Sequence, residues 1–271
     1  MSHTIVQYGG AVGNRLLSPA IWGDCPIYEI ELGAKDGRFL FDDFINTPAL
    51  SADSDLRKYA TYIDTSCAFD QTASEPNGLL RFSTDTTDNV EMWMQTGGNN
   101  GCLAVVSDTA GADKKLWFEA RFYIDLSANG TAFVGLGSPG LAAADTITDA
   151  GALKTTGAFI GFRTTEADSD SLDFVFKAAS QSVQTPGDGV KAVTNASYIK
   201  AGFVYDPAAP DTRKIRAFID GAVVSANVSA TDIAAATFPD AEVLAMLAGC
   251  KNLNSTGMRI ALDWWAFAQI G

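Results

Sequence analysis

Residues 195–226 read NASYIKAGFVYDPAAPDTRKIRAFIDGAVVSA, and their pattern decides the fold. In Tyr198-Ile199-Lys200-Ala201-Gly202-Phe203-Val204-Tyr205, and again in Lys214-Ile215-Arg216-Ala217-Phe218-Ile219, apolar residues alternate with polar or small ones. That period of two belongs to a strand buried on one face. Asp220-Gly221 follows at once and leads into a third run, Ala222–Ala226. An Asp-Gly pair between two such runs signals a hairpin, because a type I′ turn requires positive φ at both central residues.

The pattern extends outward over most of the chain. Candidate strands are Phe39–Phe41, Tyr59–Ile63, Leu79–Ser83, Val90–Gln95, Cys102–Ser107, Leu116–Asp125, Thr131–Leu136, Ala158–Arg163 and Leu172–Lys177, then Tyr198–Tyr205, Lys214–Asp220, Ala222–Ala226, Glu242–Ala248 and Met258–Ala268. They are rich in Phe, Val, Ile, Tyr and Trp and are separated by turn residues. Many strands with little helix between them define an all-β, antiparallel sandwich or barrel. Two Ala-rich stretches, Ser138–Leu153 and Ser229–Ala236, read equally as short helical turns on the rim or as connecting loops.

Residues 1–38 differ in style. Glycines and prolines cut them into short pieces, of which only Ile27-Tyr28-Glu29-Ile30-Glu31-Leu32 reads as a strand. Their apolar residues, Ile5, Val6, Tyr8, Leu16, Leu17, Ile21 and Trp22, argue against free disorder. The segment is therefore an extended arm on a neighbouring subunit or a meander on its own domain. A single sandwich domain is expected over 39–271, a length that all-β folds commonly reach as one unit.

Composition excludes several classes. A net charge of −13, with 19 Lys and Arg set against 32 Asp and Glu, repels phosphate backbones and disfavours nucleic-acid binding. No apolar run approaches the ~20 residues of a membrane span, and the first residues lack a signal-peptide pattern, so synthesis in a cytoplasm is expected. The 4 cysteines, Cys25, Cys67, Cys102 and Cys250, contain no C-x-x-C pair and read as free thiols rather than a zinc site. Asn129, Asn195, Asn227 and Asn254 begin N-x-[ST] triplets, which carry no glycosylation message without secretion.

The central hairpin also carries a family resemblance. A strand ending Val204-Tyr205-Asp206, a polar loop, and Ile215-Arg216-Ala217-Phe218-Ile219-Asp220-Gly221-Ala222-Val223-Val224 resemble the concanavalin A-like, laminin G-like jelly roll. Val243–Gly249 and Met258–Phe267 are similar to that family's last two core strands, and Phe39-Leu40-Phe41-Asp42-Asp43-Phe44 to its opening strand and loop. The resemblance covers about residues 39–271 and implies a two-sheet sandwich. In Leu262-Asp263-Trp264-Trp265 one tryptophan should point inward, not both, since strand neighbours face opposite ways.

Enzymes of this fold that hydrolyse glycosides carry an E-x-D-x-x-E strand, which puts a nucleophile and an acid on one face. That pattern is absent: Glu29-Ile30-Glu31 lacks the third acid, and Glu91, Glu119 and Glu166 stand alone. With His3 as the sole histidine, histidine-based triads and metal sites are excluded. No phosphate-cradling glycine loop occurs.

Asp168-Ser169-Asp170-Ser171-Leu172-Asp173 is oxygen-rich enough to consider for calcium, but it lacks the glycine and distal Glu of an EF-hand and reads as a solvated loop. Asp42-Asp43 and Asp206 with Asp211 read as turn caps. Trp93, Trp117, Tyr123, Tyr205 and Trp264 are candidates for stacking on a sugar, each set against a place in the core. The reading assigns no catalytic, metal or cofactor-binding residue and expects no cofactor.

In style (a short Gly-rich start, Ala/Thr/Asp-rich strands and a jelly-roll core) the chain resembles virion-associated proteins of tailed bacteriophages, particularly head decoration or auxiliary proteins. The resemblance implies a non-enzymatic virion protein that binds the outer head surface. Its partner would be the major capsid protein or another virion protein, and it would be a homo-oligomer on the particle. The alternative is a lectin-like module that recognises a glycan through a sheet face or rim loops, in phage-tail or host-surface adhesion. A glycoside hydrolase ranks below both.

Overall fold

The computed structural model describes residues 16–44, 59–71, 78–97, 104–106, 114–240 and 242–270. Among these, two eight-stranded antiparallel sheets stack face to face. Sheet I runs β14 (Ala222–Val228), β13 (Ile215–Ile219), β12 (Ile199–Tyr205), β7 (Leu116–Asp125), β16 (Arg259–Ile270), β4 (Leu80–Ser83) and β3 (Ala68–Gln71), and β1 (Gly37–Asp42) also pairs with β16. Sheet II runs β11 (Gln184–Ala192), β10 (Asp168–Lys177), β9 (Phe159–Thr165), β8 (Gly130–Gly137), β15 (Glu242–Asn252), β5 (Glu91–Thr96) and β2 (Tyr59–Ile63), with β6 (Ala104–Val106) on β15. No helix of the described residues is long and apolar enough to cross a membrane.

The Asp220-Gly221 turn forms as its chemistry requires. Asp220 has φ 51° and Gly221 φ 79°, and Ile219 pairs with Ala222 across them. Both strands that sequence reasoning missed, β3 and β11, are sheet edges. Pro186 lies within β11. Proline is tolerated only where no neighbour needs its missing N–H, and that same residue hid the strand.

Between the sheets lies one apolar core containing Phe82, Phe118, Phe122, Phe162, Phe174, Phe203, Leu262 and Trp265. The strand alternation predicts this layer, but the outer faces of both sheets are also partly covered. On sheet I, Trp117, Val204, Phe218 and Trp264 pack with Ile21 and Trp22. On sheet II, Trp93, Phe133, Phe159 and Leu247 pack beneath Leu141, Ile147 and Leu153. Trp264 and Trp265 face opposite ways, as strand alternation requires, and both are buried because the outer face is covered as well. A register shift between Leu262 and Trp264 sets the phase, so that Leu262 and Trp265 share the inner face while Trp264 turns outward.

The N-terminal segment needs a correction. Ile27–Glu31 is a short α-helix (α2), not a strand, and it follows another at Pro19–Trp22 (α1). Ile27 and Ile30, three apart, turn toward the domain while Tyr28 and Leu32, four apart, stay exposed. Over so few residues, helical spacing is hard to tell from alternation. Residues 16–36 are thus a helical meander laid on their own sheet I, one of the two alternatives for the segment, and residues 1–15 lie outside the described residues. Of the two Ala-rich stretches, Ser229–Ala236 contains a helix, Ala230–Ile233 (α3), closed by a reciprocal capping box between Ser229 and Asp232. Ser138–Leu153 has no helix and closes on an Ile147–Leu153 bridge.

Two buried glutamates fasten these covers. Glu119, fully buried on β7, accepts from the Ser18 N–H (3.0 Å), the Ser18 hydroxyl and the Trp22 indole N–H (2.9 Å). Lys200 adds a bond from its Nζ to the Leu16 carbonyl (3.0 Å). On sheet II, Glu91 accepts from the Trp93 indole (2.7 Å) and the Asp145 and Ile147 amides, while Gln95 Oε1 accepts from the Gly140 and Leu141 amides. Burial pushes both carboxyls above the ordinary glutamate range, opposed by the donors that hold them.

Candidate ligand-binding rim

Burial disposes of most of the aromatic candidates. Trp93, Trp117, Tyr205 and Trp264 are each at most 3 % exposed and have no free face for a sugar. Tyr123 alone stays partly accessible, on the outer face of sheet I, edge-to-face with Tyr198 at 5.2 Å between ring centres. The Arg121 guanidinium lies 3.7 Å over the Tyr198 ring and is ion-paired to Asp263.

The other carboxylates sort by their partners. Asp42 accepts from the Phe44 amide (2.9 Å) and the Tyr59 hydroxyl, as a turn cap does. Asp206 caps the Ala208 amide and takes Lys115, while Asp211 pairs with Lys214. Glu29 and Glu31 sit on α2, and Glu166 lies in the turn between β9 and β10. Cys25, Cys67 and Cys250 are free thiols, and burial pushes the Cys25 thiol up to about 12, which leaves it unreactive at neutral pH. Cys102 and His3 lie outside the described residues.

The Asp168–Asp173 stretch is not a loop, as its composition suggests, but the first half of strand β10. Irregular pairing with β9 and β11 brings the carboxylates of Asp168 and Asp173 together with Asp188 of β11, all within 4.8 Å of one another. Asp173 is buried, and burial raises its carboxyl against the Gly189 N–H (2.9 Å) and the nearby Arg163, with Asp188 and Asp168 raising it further. Hard divalent cations take such oxygen sets. Asp188 escaped sequence reasoning because it lies in the Pro- and Gly-rich β11, although Gly187-Asp188-Gly189 is itself a turn signature.

Asp170 parts from the trio. It lines a pocket beside Val193, whose side chain belongs to the core, and so sits where the space between the sheets opens to solvent. There, at one end of the sandwich, a shallow pocket of about 440 Å³ is lined by residues 126–129 from the β7–β8 connection, Asp170, and residues 193–195 from the β11–β12 connection. Leu126 N–H donates to Asn195 Oδ1 (3.1 Å), and Val193 N–H to the Asp170 carbonyl (2.8 Å), tying the three walls together. Sequence reasoning read Asn195 only as part of an N-x-[ST] triplet, since nothing local links it to Asp170. The walls continue directly into the strand positions of Tyr123 and Tyr198, three residues from Leu126 and Asn195.

With that geometry in place, comparison with known proteins defines the class. No family model matches the chain, and no curated protein matches it either. Solved structures do. A protein of unknown function from Shewanella oneidensis MR-1 is similar over 90% of this chain and 94% of its own, at TM-score 0.55 and 13% identity. Basic winged bean lectin, solved with Tn-antigen, is similar over 86% of this chain and 98% of its own, at TM-score 0.53 and 11% identity. An endo-β-1,4-glucuronan lyase from Trichoderma reesei is similar over 86% and 94%, at TM-score 0.51 and 10% identity. The chain has the concanavalin A-like jelly-roll fold of the legume lectins, as the central hairpin implies.

Proposed function

We propose that this chain is a lectin-like, non-catalytic glycan-binding module. The observation that carries the reading is the open pocket of mixed polar and apolar lining at the end of the sandwich, set on a fold whose solved neighbours include a lectin holding Tn-antigen. Sugar recognition asks for carboxylate, amide and hydroxyl groups fixed on a rigid scaffold, and Asp170, Asn195, Thr194 and Ser127 supply them. Neither buried glutamate is available for chemistry, because each is occupied in holding a surface segment.

A second reading, docking on a virion surface as a decoration protein, draws on one observation. Tyr28, Leu32 and Leu16 of the N-terminal meander are 74 %, 64 % and 59 % exposed, large apolar side chains of the kind that partners cover.

A glycan microarray probed with the full chain tests the first reading, and selective binding to at least one glycan family is expected. Loss of that binding on chelation would add the Asp168, Asp173 and Asp188 trio as the holder of a required cation. No binding to any glycan, with retention on purified phage heads instead, would return the protein to the docking role.

A further inference from the structure

Glycan recognition at the rim pocket leaves the class of sugar to be set by the groups that line it. The pocket between residues 126–129, Asp170 and 193–195 has three properties of a built site.

Its lining offers both kinds of hydrogen-bonding group that sugar hydroxyls engage. Asp170 presents an exposed carboxylate that only accepts, whereas Asn195 has its oxygen engaged by the Leu126 N–H and presents its amide N–H groups as donors. Neighbouring hydroxyls that each donate one hydrogen bond and accept another fit such a pair. The hydroxyls of Ser127 and Thr194 adapt to either role. Leu126 and the largely buried Val193 add an apolar surface for the C–H face of a ring.

The pocket is also pre-organised. Leu126 and Ala196, one on each of its connecting segments, hold positive φ of 59° and 56°. Side chains rarely adopt that conformation, at a cost of about 1–3 kcal/mol each, and it persists only where the surroundings impose it. Here the imposing bonds are Leu126 N–H to Asn195 Oδ1 and Ala196 N–H to the Ile124 carbonyl (3.2 Å).

Charge then restricts the ligand. Asp170 stands on the same strand as Asp168 and Asp173, which gather with Asp188, in a chain of net charge −13. An anionic sugar such as a uronate or sialate would enter against that field, and a neutral sugar would not.

From these observations we infer that the pocket is the primary binding site for the terminal residue of a neutral glycan, with Asp170 and Asn195 as its hydrogen-bonding pair and Leu126 and Val193 as its apolar floor. This inference rests on the glycan-binding reading, and its test separates the two.

Calorimetric titration of the full chain would use neutral oligosaccharides ending in galactose, mannose, fucose or N-acetylglucosamine, alongside sialylated and uronate-bearing ones. The variants are Asp170→Asn and Asn195→Asp. The second keeps the oxygen that accepts from Leu126 and exchanges the amide donors for a charged, acceptor-only oxygen, so a melting curve close to wild type separates a lost contact from a lost fold. Wild type binding a neutral member, with both variants weakened tenfold or more, is the expected result. Wild type binding with either variant within twofold overturns the pocket and leaves the glycan reading standing. Preference for the acidic oligosaccharides overturns the neutral assignment, and no binding by wild type overturns the glycan reading together with the pocket.

Discussion

Trp265→Ala is expected to destabilise the fold by about 3–5 kcal/mol, the range for emptying a buried aromatic site. In a chain of this size each kcal/mol lowers Tm by roughly 2–4 °C, so a fall on the order of 10 °C should appear in calorimetry. Trp265 is fully buried where β16 crosses the end of β2, with the Phe44 and Tyr59 rings each 5.8 Å from its own. Its indole N–H donates to the Tyr59 hydroxyl (3.4 Å), which donates in turn to Asp42. Removing the ring therefore opens a cavity and loosens a polar chain that joins β16, β2 and β1. Trp264 supplies the contrast. It is as deeply buried on the outer face, yet its indole N–H has no acceptor among the described residues. Trp264→Phe removes an unsatisfied donor with little volume and should change stability by no more than about 1 kcal/mol. Equal losses for Trp265→Ala and Trp264→Phe would show that the two-faced burial is misassigned.

Glu119→Ala is expected to cost about 3 kcal/mol in urea unfolding at neutral pH, because it strands the Ser18 amide, the Ser18 hydroxyl and the Trp22 indole N–H in a site closed to water. Glu119→Gln keeps the geometry: the amide oxygen accepts from Ser18 N–H and Trp22, and the amide nitrogen donates to the Ser18 hydroxyl. It should stay within about 1 kcal/mol of wild type. The pH dependence follows from the same burial. Because the folded carboxyl is raised above the ordinary 4.5, the folded state holds its proton more tightly than the unfolded chain. That contribution to stability is complete below pH 4.5 and is lost as pH rises through the folded pKa. Glu91 is raised in the same direction. Unfolding free energy should therefore increase as pH falls from neutral toward 4.5, and Glu119→Gln should make that slope shallower. An unchanged slope in Glu119→Gln would mean that the carboxyl is not desolvated as its contacts indicate.

The sandwich was legible because its central strands alternate and its turn at Asp220-Gly221 has only one economical conformation. Tyr59–Ile63 and Leu116–Asp125 match their expected bounds for the same reason: apolar and polar residues strictly trade places or β-branched and aromatic residues run unbroken. What escaped was whatever depends on contacts remote in the chain. Nothing around Glu119 shows that Ser18, 101 residues away, will close over it, so the sequence shows only an acid standing alone in a strand. Trp93 and Trp264 read as open to either face until the meander and the Ser138–Leu153 loop were seen to cover both sheets. The rim was only half legible. Asp168–Asp173 announced itself by composition, but Asp188 and Asn195 join it through the pairing of β10 with β11 and the return into β12, which no local pattern encodes.

The central claim is that this scaffold carries its ligand site at the rim, between the β7–β8 and β11–β12 connections. Amide-resolved NMR titration of the full chain with free neutral monosaccharides and disaccharides tests it most directly. The account predicts, for at least one sugar, saturable shifts concentrated in residues 126–129, 168–173 and 193–197. Shifts confined to the N-terminal meander or to the Tyr123 face, or no shifts with any sugar, would contradict it.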